Sequence, residues 1–388
     1  MAKYIYQYEN WPNFIWEERE IQSILGKVRY LQGKIFGQIN ALGFSVKNET
    51  MLTALTLDVL KSSEIEGELL NYEQVRSSIA RKLGLEYAGM VYPDRNVEGV
   101  VEMMLDATQN YQKPLDEERL FAWHAALFPT GRSGMYKIDV GNYRKEEMQV
   151  VSGAMGKEKI HYQAPPAKQV KLEMDRFLEW FNNETKLDNV IKSAIAHFWF
   201  IIIHPFDDGN GRIARAISDL LLARSDDSPQ RFYSLSNQIL TERKIYYETL
   251  QKVQYKNRDI TEWLIWYLNC LYRALKNTEQ TINKVLYKAD FWDKHKNTEL
   301  NARQRLMLNK LLDGFTGKLK TSKWAKITKC SQDTALRDIK DLIEKGILIQ
   351  EKSGGRSTNY VIANEEYKPL EYGNYIYKNG EYITRPHR

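Results

Sequence analysis

The stretch NVIKSAIAHFWFIIIHPFDDGNGRIAR, residues 189–215, decides how the chain is read. Residues 189–203 are nearly all apolar, which predicts a central helix buried on most sides. That helix has to stop at His204, because Pro205 follows and a residue before proline is pushed out of helical geometry. The histidine is thereby held at the end of a rigid element, facing the loop DDGNG. Glycines at 209 and 211 permit positive φ and let backbone N–H groups approach a ligand closely. RIARAISDLLLAR (212–224) then opens a second helix. A glycine bend running into a helix N-terminus is an anion site. Arg212 and Arg215 add two guanidinium groups on one helix face, in a geometry suited to phosphate oxygens. Asp208 would repel an anion there unless Mg²⁺ bridged it to phosphate. The loop's chemistry is that of a nucleotide polyphosphate held with Mg²⁺ beside a histidine base. A hairpin turn at Asn210-Gly211 is the weaker alternative, because both flanks are helical. A His197–His204–Asp208 metal cluster is also weaker, because two arginines oppose a bare dication.

Composition is compatible with this. The chain has 388 residues, 43% hydrophobic and 27% charged, enough for a real core and, as a soft prior, two or three domains. Its two cysteines, Cys270 and Cys330, cannot build a disulfide framework or a cysteine zinc site. The opening MAKYIYQYENWP lacks a signal pattern, and the longest apolar run, near 194–203, is too short to span a bilayer. A soluble cytoplasmic protein is expected, without membrane contact. None of the Gly-Lys pairs continues with Ser or Thr, and no Gly-x-Gly-x-x-Gly occurs, which excludes a P-loop NTPase.

Outward from the central stretch the spacing predicts a mainly α protein. Residues 1–45 are rich in aromatics (Tyr4, Tyr6, Tyr8, Trp11, Phe14, Trp16), which read as a packing face. A helix is expected over about 48–66, with Gly67 in the position of a helix stop. Two helices are expected over 94–127 around a loop at KPLDEE. MQVV and IHYQA, within 148–163, read as a small β-hairpin around SGAMGKEK. A helix restarts after Pro165-Pro166. Further helices are expected at 241–254 and 259–278. Residues 279–298 read as a polar connector, and 367–388 as a tail without pattern.

HPFDDGNGRIAR matches throughout the signature of the Fic family, His-x-Phe-x-Asp/Glu-Gly-Asn-Gly-Arg-x-x-Arg, and the helical core around it also resembles that family. The resemblance implies a Fic core at about 91–278 and transfer of AMP from ATP to a Tyr, Thr or Ser hydroxyl of target proteins. In that scheme His204 is the catalytic base and Asp208 the Mg²⁺ ligand. Gly209, Asn210, Gly211 and Arg212 cradle phosphates, and Arg215 holds the γ-phosphate. Ser62-x-x-x-Glu66-Gly67, in the N-terminal region 1–90, resembles the family's inhibitory motif. It implies that Glu66 pairs with Arg215 in place of the γ-phosphate, with Ser62 anchoring an inhibitory helix at about 48–67. The local charge is unusual in any case: Glu64, Glu66 and Glu68 crowd a helix C-terminus, against the dipole. The hairpin at 148–163 matches the family's target-docking flap. IDVGNYRKEE (138–147) resembles a recurring family stretch whose role is open. Tyr246 and Tyr247 are candidates for the adenine pocket, with core packing equally open. A homodimer is expected by analogy alone. De-AMPylation, or transfer of another nucleotide or of phosphate, uses the same loop and stays open.

The C-terminal part reads differently. Residues 299–363 hold 13 Lys and Arg against seven Asp and Glu, so the chain's whole net charge of +6 lies there. The pattern of three helices followed by strands around KSGGRSTN resembles a winged helix-turn-helix over 299–366. Ser331 is the expected N-cap of its third helix, and Arg356 would sit on the wing. Asp333, Asp338 and Asp341 dilute that helix's charge, so DNA and protein partners both stay open. The competing functional reading is a DNA-binding regulator with a nucleotide-sensing core.

Overall fold

The computed structural model describes residues 3–40, 43–85, 91–152, 159–312, 315, 317–351, 359–363, 375–378 and 381–384. Its first third is a run of helices: α1 (Glu18–Asn40), α2 (Phe44–Ile65), α3 (Tyr72–Lys82), α4 (Arg95–Gln109) and α5 (Glu117–Leu127). The hairpin of β1 (Arg132–Ser133) and β2 (Tyr136–Lys137) follows, then that of β3 (Gln149–Ser152) and β4 (Lys159–Gln163). Next come α6 (Val170–Asn183), α7 (Asn189–Ile203), α8 (Asn210–Asp226), α9 (Leu235–Thr241), α10 (Arg243–Val253) and α11 (Thr261–Lys294). The chain ends with α12 (Ala302–Leu312), α13 (Thr321–Thr328), α14 (Gln332–Glu344), the pair β5 (Leu348–Gln350) and β6 (Tyr360–Ile362), and the pair β7 (Tyr375–Lys378) and β8 (Glu381–Thr384). The expected mainly α architecture with small hairpins is what forms. No helix among the described residues is long and apolar enough to cross a membrane.

Two compact units divide at residue 280, Met1–Gln280 and Thr281–Arg388. In the first, α7 is the centre, with every residue from Val190 to Phe200 buried. The aromatic N-terminus covers it: Trp11 and Phe14 meet the Trp199 ring edge-on, with centroids 6.1 and 5.8 Å away. This is the packing face expected for residues 1–45. Helix starts follow local chemistry. Asp94, Asp116 and Asp188 each accept an N–H of their own first turn, at 2.8–2.9 Å. α2 ends as expected: Gly67 takes φ +89, and its N–H donates to the Glu64 carbonyl at 3.0 Å.

A buried polar contact bolts α2 to α9. Asp58, 1% exposed, accepts the Ser234 hydroxyl at 2.7 Å and the Ser236 N–H at 3.1 Å. Burial raises the Asp58 pKa, partly offset by Arg231.

The connector expected at 279–298 does not form: α11 continues to Lys294. Polar composition hid a helix whose Phe291 is 5% exposed in the core of the second unit. That core also holds Met307, Leu308, Trp324, Ile339, Leu342 and Leu348. The expected helix–helix–helix–strand order holds for α12, α13, α14 and β5. Ser331 caps α14 as expected, accepting the Thr334 N–H at 3.2 Å. The wing tip with Arg356, and the flap turn at 153–158, lie outside the described residues.

Candidate active site

His204 closes α7 in the left-handed region, φ 52 and ψ 59, where a β-carbon is disfavoured. Arg144 holds that turn. This guanidinium, 2% exposed, donates to the carbonyls of His204 at 2.8 Å, Pro165 at 2.6 Å and Glu146 at 2.9 Å. Its backbone N–H donates to the Pro205 carbonyl at 2.9 Å. Glu146 precedes β3 and Pro165 follows β4, so Arg144 joins both feet of the flap hairpin to the histidine turn. It is a functional candidate that sequence reasoning missed. Its stretch, 138–147, stood out, but its partners lie far away along the chain.

The His204 ring is oriented by its own helix. Nδ1 lies 3.2 Å from the Ile201 carbonyl, which assigns the proton to Nδ1 and leaves the Nε2 lone pair for a substrate. Burial lowers its pKa to about 4, with Arg144 pushing the same way and the Ile201 carbonyl, Glu66 and Asp208 opposing. The imidazole is therefore neutral at cellular pH.

The loop after it is braced from inside. Phe206 is fully buried, stacked on His124 with centroids 4.3 Å apart. The Asn210 amide clamps it, accepting from the Phe206 N–H at 3.0 Å and donating to the Phe206 carbonyl at 2.8 Å. The Asn210 side chain thus shapes the loop, while its N–H belongs to the first turn of α8, where backbone donors lack helical partners. Gly209 takes φ +80, and a β-carbon there would lie 2.9 Å from the Phe128 ring. Asp208 accepts the Gly209 N–H at 2.6 Å and the Ser133 hydroxyl, so β1 reaches the loop.

Glu66 lies against the N-terminus of α8. A β-carbon on Gly211 would collide with Glu66 Oε1. That oxygen also pairs with Arg215 Nη2 at 2.8 Å. Arg215 is 1% exposed, and its Nε and Nη2 donate to the Ser62 hydroxyl and carbonyl, both at 2.8 Å. Burial works against the guanidinium's charge, but Glu66 together with Tyr246 and Tyr247 outweighs it and the Arg215 pKa is raised. Nη1 of Arg215 and Nε of Arg212 are buried without a hydrogen-bond partner. Arg212 pairs with Glu68 at 2.5 Å and lies 5.0 Å from the Phe128 ring centroid. Lys61 pairs with Glu64 at 2.7 Å. All three glutamates at the end of α2 have found the cations that helix-dipole physics asked for.

One cavity of about 640 Å³ gathers most of these groups: Glu66, His204, Asp208, Gly209, Asn210 and Gly211, with Val150 and Tyr162 from the flap and Tyr246, Tyr247 and Leu250 from α10. The two tyrosines differ. Tyr246 is 1% exposed and its hydroxyl meets His197 Nε2 at 3.0 Å, so its ring is wall. Tyr247 is 41% exposed, with its hydroxyl 3.5 Å from Glu66 Oε2. Ser62, Arg212 and Arg215 lie under the cavity wall. His197 is structural: Ser218 takes its other nitrogen at 2.9 Å, and no group of three or more His, Cys, Asp or Glu gathers as a metal cage among the described residues.

Two family models match parts of the chain. Residues 114–222 match the Fic/DOC family model, and residues 4–85 match a domain of unknown function, DUF4172. Protein adenylyltransferase fic-1 of Caenorhabditis elegans is 26% identical over 179 residues, 45% of this chain and 32% of that protein. A probable protein adenylyltransferase of Aquifex aeolicus is 37% identical over 83 residues, 21% of this chain and 24% of that protein. The chain thus spans about a third or less of the length of these curated relatives. The crystal structure of a Fic family protein from Desulfovibrio desulfuricans aligns over 91% of this chain and 98% of its own, with 20% identity and a TM-score of 0.49.

Proposed function

The chain carries a Fic/DOC-family domain over residues 114–222, and from that premise we propose that it transfers AMP from ATP to hydroxyl groups of target proteins under restraint by its own Glu66. A target hydroxyl loses its proton to His204 Nε2 as its oxygen attacks the α-phosphorus in line. The bond from that phosphorus to the bridging oxygen breaks, and pyrophosphate leaves with the electron pair. Such transfer needs placement and charge neutralisation more than covalent help from the protein. Backbone N–H groups at the start of α8, with Arg212 and Arg215, supply the neutralisation.

Asp208 fits as the protein's share of a Mg²⁺ site. A single carboxylate ligand suits an ion that takes its remaining ligands from phosphates and water. Bound there, Mg²⁺ would neutralise phosphate charge. Ser133 and the Gly209 N–H fix the carboxylate's orientation.

The observation that carries the reading is the seat of Glu66. Its carboxylate lies where an anion is favoured, between Gly211 and Arg215, across one cavity from His204. A terminal phosphate seeking the same donors must displace it. The β3–β4 hairpin offers target peptides a strand edge beside His204, with Val150 on the cavity.

The test incubates wild type, His204→Ala and Glu66→Gly with α-labelled ATP, Mg²⁺ and cell lysate. Label on protein that requires His204 and increases in Glu66→Gly is expected. Label that survives His204→Ala would refute the mechanism.

A further inference from the structure

The second unit carries a cluster of exposed positive charge. Residues 314–332 hold five lysines and no acidic residue. They span α13 and the turn into α14. Trp324 and Ala325 bury the inner face of α13. Lys318, Lys320, Lys326 and Lys329 are exposed. The link from Thr328 to Gln332 is short, and Lys329 turns it at φ +51. A turn of this length between two helices is what a helix-turn-helix uses.

The sequence raised an objection, the three aspartates of α14, and the structure answers most of it. Asp338 is 5% exposed and faces α12, accepting from Asn301 at 2.8 Å and from Arg303 at 2.7 Å. Asp341 accepts from Gln304 at 2.7 Å and pairs with Lys345 at 2.6 Å. Ala335, Ile339 and Leu342 point into the core beside them. The opposite face shows Gln332, Asp333, Arg337, Lys340 and Glu344, exposed, with Leu336 half-buried among them. Its two acids sit at the ends of that stripe.

We propose that α13 and α14 bind duplex DNA, with Lys320, Lys326 and Lys329 on backbone phosphates and the face around Leu336 and Arg337 turned to the groove. Helix-turn-helix units lay their first helix across the backbone and their second in the major groove. Arg337 suits a guanine edge, Gln332 an adenine edge and the Leu336 side chain a thymine methyl. Anionic membrane is the other polyanion that lysines attract, but binding in its interface takes a helix with a broad outward apolar face. The exposed positions of α14 are all polar or charged, and the single half-buried Leu336 does not make such a face.

Phosphate contacts carry no sequence information, so a mixed-sequence duplex of about 20 base pairs is a sufficient probe. Fluorescence anisotropy with the full chain is expected to give saturable binding whose logarithm falls linearly with log salt. The triple variant Lys320→Ala, Lys326→Ala, Lys329→Ala should lose roughly 2.7 from that slope, at about 0.9 per phosphate contact, and at least about tenfold in affinity at 100 mM KCl. The lysines are exposed, so far-UV circular dichroism should not change. His204→Ala should bind as wild type, and the readout involves no AMP transfer, so this proposal and the enzymatic one stand or fall separately. Three outcomes would overturn it: no saturable binding at about 50 mM KCl, an unchanged slope in the triple variant, or tighter binding to phosphatidylserine vesicles than to the duplex.

Discussion

Replacing Glu66 by glycine removes one carboxylate from the seat that the proposed function gives to a terminal phosphate, and the size of the effect follows from the contact. The pair joins a guanidinium 1% exposed to a carboxylate 31% exposed, at 2.8 Å. Two unit charges near 4 Å interact by about 4 kcal/mol at an effective dielectric of about 20. Solvent on the Glu66 side screens part of that, leaving about 2–3 kcal/mol. In the wild type a terminal phosphate has to recover this amount before it can use Arg215. Each 1.4 kcal/mol is about tenfold, so Glu66→Gly should transfer AMP roughly 30- to 150-fold faster at subsaturating ATP. The same loss strips the buried Arg215 of its carboxylate partner, so the nucleotide-free variant should melt lower, and ATP with Mg²⁺ should restore more of its stability than it adds to wild type. Initial rates with α-labelled ATP and paired melting curves measure both. A variant that melts lower but transfers within twofold of wild type would refute the reasoning, because the ion pair would then brace the fold without obstructing the site.

The remaining predictions use other contacts. The His204 pKa of about 4 lies below its ordinary value, so the base is neutral above pH 5 and is lost only as acid approaches that pKa. In Glu66→Gly, kcat/KM should stay flat from pH 8 to about pH 5, and a fall centred near 6.5 would contradict a buried neutral imidazole. Arg144→Lys keeps the charge but loses the fork that reaches three carbonyls. It should lower kcat by roughly tenfold or more through a misplaced His204, with little change in the KM for ATP. Asn210→Ala removes both bonds to the Phe206 backbone and should cost about 1–3 kcal/mol of stability by denaturant titration.

The sequence revealed the parts of the site that are contiguous along the chain. A proline after a buried helix placed His204, and the glycines marked the loop into α8, although only Gly209 precedes the helix with positive φ and Gly211 lies in its first turn. Glu66 was legible from a short motif and an unfavourable charge cluster, although its partner is far away in sequence. Arg144 was not legible, because its meaning lies in carbonyls at 146, 165 and 204 that only folding assembles. Asn210 looked like a phosphate ligand, yet its amide is consumed by the loop it belongs to. The helix through 279–294 was missed because polar residues outnumber the few apolar ones that anchor it.

Asp58 and Glu66 sit on the same rod with opposite attachments. The first is locked in dry contact with Ser234 and Ser236; the second hangs past the last helical residue, next to a glycine already in left-handed geometry. Under the proposed function, clearing Glu66 from between Gly211 and Arg215 therefore calls for no departure of the rod. Fraying its tip swings the acid aside while the shaft stays fixed, so any physiological activator is expected to act on residues 63–68 rather than to pry the whole helix loose.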